Sequence, residues 1–240
     1  MEKYGFKNGR IISGKYEIVR MIGAGWEGEV YLVKELDTDI ERGAKFFYPK
    51  RNPRNLTVKS YAKKLHKLRN CNSLIRYISR ETLQYNGQEI TYLLSDYVEG
   101  VPLNVYLENF YSSGMPFYQA LHLFYSIVKA VEEIHLQKQY HGDLHTDNII
   151  LQSSGLKYDL KLIDIFHTEK SPGERIQDDV IFLCQILYEL VGGKELYKKQ
   201  PEIIKKIVCG QKHSLITKKF KNATSLRVYL ENHSWETVSS

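Results

Sequence analysis

The sequence predicts an α+β fold in two lobes, a sheet-rich first part followed by a mostly helical second part. Three stretches carry that prediction. In "KYEIVRMIGAGWEGEVYLVKEL", residues 15–36, apolar and polar side chains alternate on both sides of a glycine cluster, the pattern of two hairpin strands. In "LIRYISRETLQYNGQEITYLLSDYV", residues 74–98, two further β-type runs flank Asn86-Gly87, a dipeptide suited to a tight hairpin turn. From Val101 onward the apolar residues recur at helical spacing instead.

The elements between these landmarks follow in order. "RGAKFFY" reads as a third short strand. In "NPRNLTVKSYAKKLHKLRN" the period switches: Val58, Tyr61, Leu65 and Leu68 form a helical stripe and leave Lys59, Lys63, Lys64 and Lys67 on the outer face. Residues 1–95 therefore form a five-stranded antiparallel sheet with one helix, and residues 96–240 the helical lobe, with a cleft expected near Asp96–Gly100. "PLNVYLENFY" is a short helix and "MPFYQALHLFYSIVKAVEEIHLQKQ" a long one. Two short strands, "NIILQ" and "LKLID", precede a buried helix, "DDVIFLCQILYELVGG", with a glycine stop. The tail, from "PEIIKKIVCG" to "SLRVYLENH", reads as two or three smaller helices.

The 240 residues are 42% hydrophobic and 12% aromatic, a globular composition. The opening "MEKYGFKNGR" has no apolar core of a signal peptide, and no stretch approaches the roughly 18 unbroken apolar residues of a membrane span. Cys71, Cys184 and Cys209 have neither disulfide-framework nor zinc-site spacing, so a reducing cytoplasm is expected. Of the net charge of +6, the excess lies early: from Arg42 to Arg80 there are twelve basic residues and no acid. That run is either a solvated helix face or a docking surface for an anionic partner.

Three groups of residues carry chemistry. Gly23, Gly25 and Gly28 have G-x-G-x-x-G spacing between two antiparallel strands, which suits a loop over nucleotide phosphates; an ordinary glycine-rich turn is the plainer alternative. Lys45 stands in an otherwise apolar strand, either to clamp phosphate oxygens or to reach water from a sheet edge. The densest group is "HGDLHTDNII", residues 141–150, with "KLIDIF" placing Asp164 at a strand end. A zinc cluster of His141, Asp143, His145 and Asp147 would need further ligands that the chain does not offer nearby.

With these motifs in this order, the chain resembles the protein-kinase-like superfamily. His141, Asp143 and Asn148 match H-R-D-L-x-x-x-N, and Asp164 matches the Asp of D-F-G. The resemblance implies a bilobal kinase fold, ATP and Mg²⁺, Asp143 as catalytic base, Lys45 and Asn148 as catalytic partners, and Asn148 and Asp164 as metal ligands. It also implies nucleotide binding by Gly23, Gly25, Gly28, Val30, Ala44, Lys45, Asp96, Val98 and Ile150. "YLLSDYVEG" looks like a kinase hinge with Ser95 as gatekeeper, and Asp179 takes the anchoring position of the buried helix.

Four departures qualify the match. Gly142 replaces the Arg of H-R-D, as in aminoglycoside phosphotransferases, lipopolysaccharide kinases and many bacterial protein kinases. Phe166 replaces the Gly of D-F-G. Tyr61 falls where the lysine's glutamate partner is expected, which leaves Asp164 or Glu27 as candidate partners. Only fourteen residues separate Asp164 from Asp179, with no A-P-E motif among them. The expectation is a cytoplasmic, bacterial ATP:Mg²⁺ phosphotransferase of serine/threonine protein kinase type. The alternatives are a small-molecule kinase and a pseudokinase that binds an anionic partner.

Overall fold

The structure is a computed structural model that describes residues 3–154, 157–166 and 171–234. The chain divides into two compact units: the described residues up to Asn70 with Ile75–Val98, and Cys71–Leu74 with those from Glu99 on.

The first unit is an antiparallel sheet made of β1 (Ile11–Ile12), β2 (Tyr16–Ala24), β3 (Gly28–Glu35), β4 (Glu41–Phe47), β5 (Tyr77–Tyr85) and β6 (Gln88–Asp96). The spatial order is β1-β2-β3-β4-β6-β5. There are six strands and not five, because Ile11 and Ile12 pair with Glu17 and Tyr16 across a turn at Ser13-Gly14. A two-residue strand is too short to show alternation in sequence. Between β5 and β6, Asn86 and Gly87 both have positive φ, 49° and 75°, as a two-residue hairpin turn of the primed type requires.

Alternation gives this sheet two different faces. On one, Tyr31, Ala44, Phe46 and Leu94 form a core with Tyr4 and Phe6 of the N-terminal segment. Glu29 is fully buried on this face and fastens that segment. It accepts hydrogen bonds from the Tyr4 and Gly5 amides at 2.9 and 3.2 Å, from the Tyr48 hydroxyl at 2.9 Å and from the Tyr31 hydroxyl. The other face carries the cross-strand row Gly23, Val30, Lys45 and Leu93. Phe47 of this face meets Tyr61 of helix α1 (Leu56–Lys67) edge-on, ring centroids 6.1 Å apart. The expected stripe of α1 is buried, namely Val58, Tyr61, Leu65 and Leu68. Lys64 departs from the expectation: it is only 5% exposed, on the flank of the stripe beside Tyr61 and Leu65, whereas Lys59, Lys63 and Lys67 face water.

The second unit is mostly helical: α2 (Leu103–Phe110), α3 (Phe117–Leu136), α4 (Pro172–Leu190), α5 (Gly193–Leu196), α6 (Glu202–Val208), α7 (His213–Lys219) and α8 (Ala223–Glu231). Helix α3 packs between α4 and α8 through apolar residues such as Phe124, Ile127 and Leu187, all fully buried. A small sheet, β7 (Val101–Pro102), β8 (Ile149–Ser154) and β9 (Lys157–Leu162), takes the loop of interest into the start of its central strand. Cys71–Leu74 joins this unit because the Leu162 amide donates to the Ser73 carbonyl at 2.7 Å and Glu133 accepts from the Ser73 amide at 3.0 Å. Helix α4 starts at a Ser171 N-cap followed by Pro172, its hydroxyl accepting from the Glu174 amide. Ser171 thus has a structural duty.

The glycines of the first hairpin differ in kind. A Cβ on Gly28 would stand 1.8 Å from the Phe46 carbonyl oxygen, while one on Gly25 would meet nothing within 4 Å. Gly28→Ala is expected to cost about 3 kcal/mol or more, and Gly25→Ala to stay within about 0.5 kcal/mol of native. Denaturant unfolding of the two variants measures the difference.

Candidate functional site

In the second unit, His141–Ile150 is a loop of alternating burial. His141, Gly142, Leu144, Thr146 and Asn148 point inward; Asp143, His145 and Asp147 point out. The loop's first two residues are held by Asp179 of α4, which is fully buried. Its carboxylate accepts from the His141 amide at 2.6 Å, the Gly142 amide at 2.8 Å and His135 Nε2 at 3.1 Å. His135 Nδ1 in turn accepts from the Ala223 amide at 3.0 Å, which puts its proton on Nε2. His141 is equally committed, with Nε2 donating to the Ile163 carbonyl at 2.9 Å and Nδ1 accepting from the Asp143 amide at 3.3 Å. Both ring nitrogens serve the loop, which leaves neither for a zinc ion. Among the described residues no group of three or more His, Cys, Asp or Glu side chains is placed to hold a metal.

Gly142 has φ +88°, and a Cβ there would approach the Tyr140 ring at 3.0 Å and the Phe166 carbonyl at 3.2 Å. The missing arginine of H-R-D is therefore a backbone matter: this loop turns where an L side chain is strained. The Phe166 amide donates to the His141 carbonyl at 2.8 Å, tying the segment after Asp164 to the same loop. Asp164 itself has φ +55°, a conformation that Asp tolerates better than most residues.

Asp143 projects from this frame with a side chain 56% exposed. The His145 ring, 3.8 Å from its Oδ2, holds the Asp143 carboxyl below the usual carboxylate range, against the opposing effect of burial. The His145 imidazole is raised in return, first by Asp143 and further by Asp147 and Asp164. The Asn148 amide nitrogen donates to the Asp143 carbonyl at 2.8 Å, so its oxygen is the end that can face a cation. The β8–β9 ladder then carries Asn148 beside the segment that leads out of β9 to Asp164, two residues past the strand, for the Ile163 amide donates to the Asn148 carbonyl at 3.0 Å. An amide oxygen and a carboxylate at adjacent strand ends are hard donors of the kind Mg²⁺ takes, and few enough to leave it waters and phosphate oxygens. Ile150 lies two residues on from Asn148, half-buried in β8.

In the first unit, Lys45 is 13% exposed and its Nζ stands 2.9 Å from Glu27 Oε2. Tyr61 and Phe47 present their rings to the ammonium at 4.9 and 5.5 Å. Tyr61 thus occupies the helix position expected for a glutamate, and Glu27 is a carboxylate partner. Gly23 and Val30 share the lysine's row. Ala44 does not: it is fully buried on the opposite face with Tyr31 and Leu94. Gly43, two residues from Lys45 and paired with Ser95, is the residue on the lysine's side, and Ala44 leaves the set of nucleotide-binding candidates. A period-2 count back from Lys45 could have shown this. Asp96 closes β6, its amide donating to the Arg76 carbonyl at 3.1 Å and its carboxylate 3.2 Å from Arg42; Val98 is the last residue of the unit.

Comparison with known proteins agrees with this geometry. Residues 16–180 match the family described as "Protein kinase domain". The serine/threonine-protein kinase PrkC of Bacillus subtilis is 29% identical over 61% of this chain and 22% of its own length. CBL-interacting protein kinase 30 of rice is 27% identical over 66% of this chain and 32% of its own length. This chain thus spans less than a third of the length of either relative. Among solved structures, the Mycobacterium tuberculosis PknI kinase domain aligns over 96% of this chain and 100% of its own, with a TM-score of 0.67 and 15% identity. A second PknI structure reaches a TM-score of 0.69 over 95% of this chain. These structures share the α+β kinase fold with this chain, and the family match covers more than half of it: the chain belongs to the protein kinase family.

Proposed function

We propose that this chain is an ATP- and Mg²⁺-dependent phosphotransferase of the serine/threonine protein kinase type, passing the γ-phosphoryl group to a hydroxyl. One observation supports this above the others: an exposed carboxylate, Asp143, projects from a loop whose preceding amides, those of His141 and Gly142, are bonded inward to Asp179 and whose own carbonyl accepts from Asn148. In this reading Asp143 orients the hydroxyl and accepts its proton as transfer proceeds; the His145 ring, which holds the carboxyl below the usual carboxylate range, makes it a weak base, so orientation is its larger part. Asn148 and Asp164 would hold Mg²⁺, which neutralises charge on the phosphate oxygens when bound. Lys45 orients phosphate oxygens from the first unit, and Gly23 and Gly25 leave backbone amides open to them. Gly28 plays a packing part, since its missing Cβ admits the Phe46 carbonyl. Val30, Gly43, Asp96, Val98 and Ile150 are the proposed nucleotide-side contacts. Three free cysteines suit a reducing compartment, and the cytoplasm is the proposed setting. Among the described residues no helix is long and apolar enough to cross a membrane.

The short span between Asp164 and Asp179 favours a second reading, a small-molecule acceptor, because it leaves little chain to hold a peptide. Phosphate transfer to purified metabolites, with none to generic proteins or to the enzyme itself, would decide for it. For either reading, Asp143→Asn is expected to lower turnover by roughly 10²–10⁴ while ATP binding survives. Asp164→Ala is expected to remove the Mg²⁺-dependent tightening of ATP. Single-turnover assays and ATP titrations with and without Mg²⁺ test both, and unchanged turnover in the first variant would sink the loop assignment.

The exposed Lys59, Lys63 and Lys67 support a separate reading for the first unit, docking of an anionic partner on the outer face of α1. Such an interaction weakens steeply with salt, since exposed charges are screened within about 10 Å at 0.1 M. Lys63→Glu with Lys67→Glu is expected to weaken partner capture and leave ATP affinity unchanged; capture that ignores both salt and the substitutions rejects it.

A further inference from the structure

Resting on the ATP reading above, we propose that Glu27 is the positioning residue for Lys45, acting from the glycine turn in place of an acid on helix α1. The chemistry demands some such group. Tyr61 and Phe47 attract the ammonium through their ring faces, but a ring face does not fix the direction of an N–H. A carboxylate does, through a charge-assisted hydrogen bond, here 2.9 Å long between side chains 13% and 19% exposed. The sequence offers α1 no acid for the purpose, since none lies between Arg42 and Arg80.

The alternative role for a carboxylate in this place is a plug that holds the ammonium until phosphate displaces it. A plug would have to swing away by side-chain rotation alone, because the backbone of Glu27 is rooted. Its carbonyl accepts from the Tyr48 amide at 2.9 Å, continuing the β3–β4 ladder, and the Gly25 amide donates to the Gly28 carbonyl at 2.9 Å. The adjoining Gly28 is wedged against the Phe46 carbonyl, which allows no room for the turn to shift along β4. Trp26, one residue away, is 59% exposed and stacked by the Arg51 guanidinium at 3.9 Å. Glu27 is therefore the half-buried root of the turn, and Trp26 its outward tip. An ion pair fixed in this way links the seating of the glycine turn to the aim of the lysine.

Two substitutions separate the possibilities, because Gln keeps the shape of Glu without its charge and Asp keeps the charge without its length. The full chain is titrated with ATP and Mg²⁺ by calorimetry, and KM for ATP and kcat are measured alongside. Charge-based positioning predicts that Glu27→Gln weakens ATP by about five- to tenfold and that Glu27→Asp stays within about threefold of native. A packing role reverses that order, with Gln near native and Asp worse. A plug makes Glu27→Gln bind ATP more tightly than native. Either of the last two results overturns the proposal, as does unchanged affinity in both variants. If Glu27→Gln does not fold, the Asp variant alone decides: retained affinity supports positioning, and a loss beyond tenfold rejects it. A native chain that binds no ATP overturns the nucleotide reading itself, a distinguishable result.

Discussion

The buried carboxylate of Asp179 is the constraint on which the second unit's chemistry rests. Burying an ionised group is expensive unless it is fully hydrogen-bonded. Here two consecutive backbone amides and a histidine N–H satisfy it. The bonds act in both directions. They stabilise the charge inside α4, and they fix the peptide planes on either side of His141, which sets the direction in which Asp143 leaves the loop. The His135 ring extends the same chain to the first amide of α8. A single residue thus sets the local conformation of the His141–Asn148 loop and joins three helices to it.

The first unit uses a carboxylate on each face of its sheet. Glu29 gathers four donors on one face and fastens the N-terminal segment; Glu27 meets Lys45 on the other. They stand two residues apart with Gly28 between them, Glu27 just before β3 and Glu29 within it. The wedge at Gly28 and the ladder that follows direct one into the apolar core and the other toward the ammonium.

Much of this was legible in the sequence, and the exceptions have physical causes. The two hairpins, helix α1 and the long helices were readable because each repeats its period several times. Asn86-Gly87 worked as a signal because both positions need positive φ. Strand β1 was invisible because two residues show no period. The inward turn of Lys64 could not be foreseen from a stripe three to four residues wide, since a flanking position can fall on either side of it. Ala44 was misplaced because it adjoins Lys45 in sequence, and in a strand adjacency means the opposite face. The spacing of Asp143, Asn148 and Asp164 picked out one loop and the segment bonded to it, which the fold does bring together. The cause of the glycine at 142 was not, because a positive φ is a property of the folded loop. The pairing of Lys45 was only half legible: the absence of an acid on α1 was plain, and the choice of Glu27 depended on strand register.

The strap at Glu29 bears on how the unit can be divided. The family-matching stretch starts at residue 16 and ends at 180, and a fragment cut to those limits looks natural on paper. At its front such a cut discards Tyr4 and Phe6, uncovers their side of the aromatic core, and leaves Glu29 buried without its two backbone donors. At its back it severs α4 one residue past Asp179, removing the apolar turns that seat the helix. The foldable unit is therefore wider than the recognisable one at both ends, and the margin is set by two buried carboxylates.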